Sequence, residues 1–118
     1  MPDPTTAARW YEIKARAAAA DKPSMAEIYV YGNIGDRWDE NGVIAAELVR
    51  DIAALDVETI TLRINSYGGS VVDGIAIYNA LKRHRAIVDA HVDGVAISCA
   101  GYLAMAADTL TMAANAQL

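Results

Sequence analysis

The chain has 118 residues, 54% of them hydrophobic but only 7% aromatic with no Phe, and a formal net charge of −5. That bounds it to one domain, or most of one, with an Ala-rich core in which each side chain buries little area. An acidic chain without a Lys/Arg stripe argues against nucleic acid and anionic membranes as partners, and a single cysteine, Cys99, excludes an internal disulfide and a cysteine-based metal site.

The opening residues carry no basic segment followed by an apolar one, and the longest uncharged stretch, 94–107, is too short and too rich in Gly and Ala to span a bilayer. The expectation is a soluble, cytoplasmic protein without cofactor. Trp10-Tyr11-Glu12-Ile13-Lys14 alternates weakly and suggests a short strand, and residues 15–24 read as a linker closed by Pro23. Residues 1–26 are thus a lead-in, and 27–118 the domain proper. Ile28-Tyr29-Val30-Tyr31 is β-prone and ends at Gly32-Asn33. Ile44, Leu48, Ile52 and Leu55 recur at helical spacing and predict an amphipathic helix over 41–55, capped by Asp39 or Asn41. Thr59 to Asn65 alternates, with Ile60, Leu62 and Ile64 on one face and Thr59, Thr61 and Arg63 on the other, which predicts a strand. After the turn at Ser66–Ser70, Val71, Ile75, Tyr78 and Leu81 predict a helix to about His84; 86–92 is a strand, 99–107 a helix and 109–112 a strand. Strands alternating with helices imply repeated β-α-β units and a mostly parallel sheet.

In such sheets, sites lie beyond the carboxyl ends of the strands. Two glycine-bearing segments occupy that position: Asn65-Ser66-Tyr67-Gly68-Gly69-Ser70, and Gly94-Val95-Ala96-Ile97-Ser98-Cys99. A serine at a helix start and an exposed Gly-Gly backbone are the minimum for acyl transfer, one giving the nucleophile and the other an N–H for the oxyanion. Each also has an ordinary account, because serine is a common N-cap and Gly-Gly a common turn. His91 reads as a half-exposed strand residue, His84 as a solvated helix end, and Asp36, Asp39 and Glu40 as loop or cap carboxylates rather than a metal cluster. Asp73 favours the start of the second helix electrostatically, and Cys99 has no neighbouring cation to make it nucleophilic.

Ile64-Asn65-Ser66-Tyr67-Gly68-Gly69-Ser70-Val71, then Ile75-Ala76-Ile77-Tyr78-Asn79-Ala80-Leu81, then Asp93-Gly94-Val95-Ala96-Ile97-Ser98-Cys99-Ala100 together resemble the Clp protease proteolytic subunit family over about 27–118. The first segment is similar to that family's Ile-Asn-Ser-Pro-Gly-Gly signature, with Tyr67 in place of the proline. The opening Trp10-Tyr11-Glu12-Ile13-Lys14-Ala15 resembles the lead-in of the phage head maturation proteases related to it.

The resemblance implies an α/β fold of the Clp-protease/crotonase-like kind and a serine endopeptidase. Ser98 would be the nucleophile, and the N–H groups of Gly69 and Cys99 the oxyanion hole, with Gly68 shaping the turn. It also implies a protein or peptide substrate, a homo-oligomeric ring, and an AAA+ unfoldase or phage capsid proteins as partners. The family's general base is a histidine beyond the serine, oriented by a later aspartate; Ala114-Asn115-Ala116-Gln117-Leu118 resembles the run just before that histidine, and no histidine follows Ser98 here. The expectation is therefore a C-terminally truncated member, inactive alone. Two other expectations stay open: an inactive subunit that assembles with active partners, and a crotonase-type acyl-CoA enzyme, which holds an oxyanion between two N–H groups without a serine.

Overall fold

The computed structural model describes residues 11–17, 24–35 and 45–118. The candidate caps Asp39 and Asn41, and the carboxylates Asp36 and Glu40, lie outside them. The elements are β1 (Tyr11–Arg16), β2 (Met25–Tyr31), α1 (Ala45–Ala54), β3 (Thr59–Ser66), α2 (Val71–Arg83), β4 (Ile87–Ala96), α3 (Cys99–Met105) and β5 (Thr109–Met112). The strands form one sheet in chain order, β1-β2-β3-β4-β5. β1 pairs antiparallel with β2, Tyr11 opposite Val30 and Arg16 opposite Met25, so residues of the lead-in form one edge of the sheet. The other pairings are parallel, as β-α-β units require.

Alternation sets the two faces. Ile28, Leu62 and Ala90 stand in register, and with Ala26, Val30, Ile60, Ile64, Val88 and Val92 they turn into the core. There they join Leu48 and Ile52 of α1, Ile77 and Leu81 of α2 and Leu103 of α3. The helices thus cover one face, and the alternate residues Tyr31, Arg63, Asp89, His91 and Asp93 line the other, half-buried face. The molecule is a two-layer α/β structure, and Val, Ile and Leu at every second strand position are what hold the helical layer down.

Three expectations need correction. The strand predicted to stop at Val92 continues to Ala96. Gly94 is not a turn: the β3–β4 register shifts between Ile64 and Ser66, and Asn65 Oδ1 accepts the Val95 N–H at 3.2 Å in that irregularity. A Cβ at Gly94 would lie 2.5 Å from Asn65 Oδ1, so the glycine is there for close approach. Second, the buried stripe of α2 is Gly74, Ile77, Ala80 and Leu81, whereas Val71 and Ile75 are exposed. The apolar spacing identified the helix but not the face it buries. Third, His84 is not solvated. Its Nδ1 accepts the Ala86 N–H at 2.9 Å, which leaves Nε2 to donate to the Leu55 carbonyl at 2.9 Å, tying the end of α2 to the end of α1.

Candidate active site

The β4–α3 junction is where Ser98 is held. Its φ of 59° and ψ of −131° make it the one non-glycine residue with positive φ among the described residues. It stands at the N-cap position of α3, yet its side chain makes no capping hydrogen bond. The capping account of this serine therefore fails: a cap adopts ordinary extended backbone and spends its hydroxyl on the helix. Here the backbone is strained and the hydroxyl is exposed and uncommitted.

The glycine turn reaches the same place. Gly68 and Gly69 have φ of 96° and 145°, values open to glycine and costly for other residues. A Cβ at Gly68 would stand 2.6 Å from the Ile97 carbonyl oxygen, 2.9 Å from Ser98 Cβ and 3.3 Å from the Cys99 nitrogen. The two segments singled out in the sequence are thus in contact, through a position where only hydrogen fits. Below them, Ile34 N–H donates to the Gly68 carbonyl at 2.8 Å and Ser70 N–H to the Ile34 carbonyl at 2.8 Å, which fastens the turn to the end of β2. Ser70 caps α2 by accepting the Asp73 N–H at 3.3 Å, and Asp73 lies in the first turn as expected.

Cys99, beside the serine, is buried. Burial pushes its thiol pKa up, against the pull of the Gly69 and Cys99 N–H groups, which both approach the sulfur. Among the described residues neither N–H is given to a backbone carbonyl outside the helices and strands. A raised thiol pKa is the opposite of what a nucleophilic cysteine needs.

The histidines are elsewhere. His91 lies on the open face of β4, its Nε2 2.9 Å from Asp89 Oδ2. The Thr109 hydroxyl donates to Asp89 Oδ1 at 2.6 Å and, together with His91, holds the Asp89 carboxyl below its ordinary value despite partial burial. His84 sits at the opposite end of β4 from Ser98, roughly 30 Å away for a strand of that length. No base is bonded to Ser98 among the described residues, and no group of three or more His, Cys, Asp or Glu there could hold a metal.

A further cluster on the open face went unread in the sequence. Arg63 donates to Asp93 through Nη2 at 2.6 Å and through Nε at 3.0 Å, and the Tyr31 hydroxyl donates to the same carboxylate. Burial, then the bond to Asp93 and its charge, push the Tyr31 phenol up to about 12. Burial also raises the Asp93 carboxyl, but the bonds from Arg63 and Tyr31 outweigh it and hold it below its usual range. The alternation of β3 placed Arg63 on this face; nothing in one sequence could pair it with a residue two elements away.

A family model described as Clp protease matches residues 7–118. The chain belongs to the Clp protease family. Among solved structures, this family member is similar to ClpP1 from Listeria monocytogenes, at 25% identity and a TM-score of 0.59 over 69% of this chain and 46% of that one. Its fold is also shared with Pseudomonas aeruginosa PA4980, at 17% identity and a TM-score of 0.62 over 88% of this chain and 53% of that one. The Clp protease chain described here spans about half the length of the solved structures it matches. No helix among its described residues is long and apolar enough to cross a membrane.

Proposed function

We propose that this chain carries the nucleophile and oxyanion half of a Clp-type serine endopeptidase site. Ser98 Oγ attacks the peptide carbonyl, and the Gly69 and Cys99 N–H groups bind the oxyanion that forms. Each such donor is worth roughly 3 kcal/mol of transition-state stabilisation in acyl transfer. The observation that carries this reading is the contact between Gly68 and a Ser98 whose backbone is strained and whose hydroxyl is free of capping. Family membership supplies the peptide as substrate class. Phage head maturation or an ATP-dependent protease is the setting, with a ring of like subunits and an unfoldase or capsid protein as partners.

Attack by serine needs a base, and neither histidine of the chain is bonded to Ser98. On this reading the proton acceptor and its orienting acid come from outside these 118 residues. Without them only a small residual rate from binding and the oxyanion hole is expected. The same observation favours a second reading, an inactive subunit assembled with active partners.

The deciding experiment is intact mass of the protein made from its own gene, with and without a fluorophosphonate probe, beside Ser98→Ala. A single adduct that Ser98→Ala abolishes is the expected result. Absence of the adduct, together with co-purification of a longer labelled homologue, would establish the assembly role instead. Coenzyme A binding without any adduct would point to the crotonase-type alternative.

A further inference from the structure

Ser66 ends β3 and, at 2% exposure, is the one buried polar side chain among the described residues. Both capacities of its hydroxyl are used. It donates to the Gly32 carbonyl at 2.6 Å and accepts the Gly68 N–H at 3.0 Å. The direction is forced, because a carbonyl can only accept and an N–H can only donate. The Ser66 carbonyl in turn accepts the Ile97 N–H at 3.1 Å, one residue before Ser98. A single residue therefore ties together the end of β2, the glycine turn and the nucleophile arm.

The consequence follows from peptide planarity. The Gly68 carbonyl and the Gly69 N–H belong to one trans peptide and point in opposite directions. Ile34 N–H holds that carbonyl, so the Gly69 N–H is turned away from Ile34, and the Gly68 Cα on that peptide is the atom whose added Cβ would stand 3.3 Å from the Cys99 nitrogen. The preceding peptide plane, which carries the Gly68 N–H, is held by Ser66. Gly68 is thus a residue with unusual conformational freedom whose two flanking planes are both clamped. Release of either clamp lets the Gly69 N–H swing, and Tyr67, in place of a proline, does not fix the turn from its other side.

We infer that Ser66 is a positioning residue for the oxyanion donor: its hydroxyl touches no reacting atom, and it acts through Gly68 to keep the Gly69 N–H aimed at the site beside Ser98. This rests on the peptidase reading above. A residue that merely stabilises the fold would change stability and leave the chemistry of the folded protein alone.

The test compares the protein made from its own gene, together with whatever supplies its base, with its Ser66→Ala variant, following the fluorophosphonate reaction as a function of probe concentration and amide hydrogen exchange by NMR, with Ser98→Ala as the unlabelled control. In Ser66→Ala the limiting phosphonylation rate is expected to fall about tenfold or more while the probe concentration at half-saturation changes less than about threefold. Exchange of the Gly68 and Ile34 amides should accelerate by a similar factor, with Leu62 in the centre of β3 unaffected. An unchanged phosphonylation rate, or an unchanged Gly68 amide, overturns the inference. If the wild-type protein made from its own gene takes no probe, the peptidase reading fails, and the exchange data alone decide whether Ser66 clamps the turn. Should Ser66→Ala not fold, Ser66→Cys, which keeps the size but bonds weakly, is read in its place by the same criteria.

Discussion

At the scale of single residues, the cost of the site is written in one dihedral angle. A non-glycine residue in the region of Ser98, φ 59° and ψ −131°, is disfavoured by roughly 1–3 kcal/mol, and it persists only where its surroundings impose it. Ser98→Gly relieves that strain, partly offset by the greater freedom of glycine in the unfolded chain. It should therefore stabilise the protein by about 1 kcal/mol in urea unfolding. Ser98→Ala, still strained, should leave stability nearly unchanged, while both lose the phosphonate adduct. Equal stability of wild type and Ser98→Gly would mean the junction is not strained. Ser98 and the Gly-Gly turn were legible because each announces itself by residue type at a strand end. Ser66 was not: its work depends on the Gly32 carbonyl and the Gly68 N–H, and a chain read residue by residue does not show which backbone groups meet.

Between elements, glycine does a different job. Gly74 lies inside α2, where alanine is normally better by about 1 kcal/mol. A Cβ there would meet Cys99 Cβ at 2.7 Å and Sγ at 3.2 Å, so α2 and α3 pack as closely as they do only because Gly74 has no side chain. Gly74→Ala should accordingly destabilise by roughly 1–3 kcal/mol through overpacking. Removing the opposing atoms in the double variant Gly74→Ala/Cys99→Gly should recover part of the loss, a coupling that a double-mutant cycle of melting curves measures. The order of elements was legible from periodicity, and their ends were read less well. Asp93-Gly94 looked like punctuation, but the chain there runs on as strand because Asn65 fills the space a side chain would take. Val71 and Ile75 marked α2 by their spacing without showing which face it buries. They face outward: Ile75, with Tyr78, Asn79, Tyr102 and Met105, lines an open cleft of about 420 Å³ between α2 and α3, beside an exposed Val71.

Across the whole molecule, the face of the sheet without helices is held by charge rather than by apolar burial. Tyr31, Arg63 and Asp93 come from β2, β3 and β4, so one carboxylate joins three strands. A phenol titrating at about 12 instead of 10 makes folding weaken as pH rises from about 10 to about 12, where the unfolded chain ionises this tyrosine and the folded one keeps its proton. Asp93, held low, contributes in the opposite direction: its stabilisation is complete above the ordinary carboxylate range and is lost as pH falls through its folded value. Asp93→Ala should cost about 1–2 kcal/mol, the value of a partly exposed charge-assisted bond pair. It should also bring the latest of the six tyrosines back toward ordinary titration, read from phenolate absorbance. An unchanged tyrosine titration would show that the three groups do not act together.

The strand order, which repeats the chain order, has a bearing on how the protein is made. Each parallel pairing joins strands that follow one another, so no strand has to wait for a partner synthesised much later. A chain leaving the ribosome can lay β1 against β2, add α1 and β3, and extend the template one βα unit at a time, with little unpaired apolar sheet exposed at any moment. The junction that holds Ser98 then forms after the β1–β3 part of the sheet is in place to receive β4.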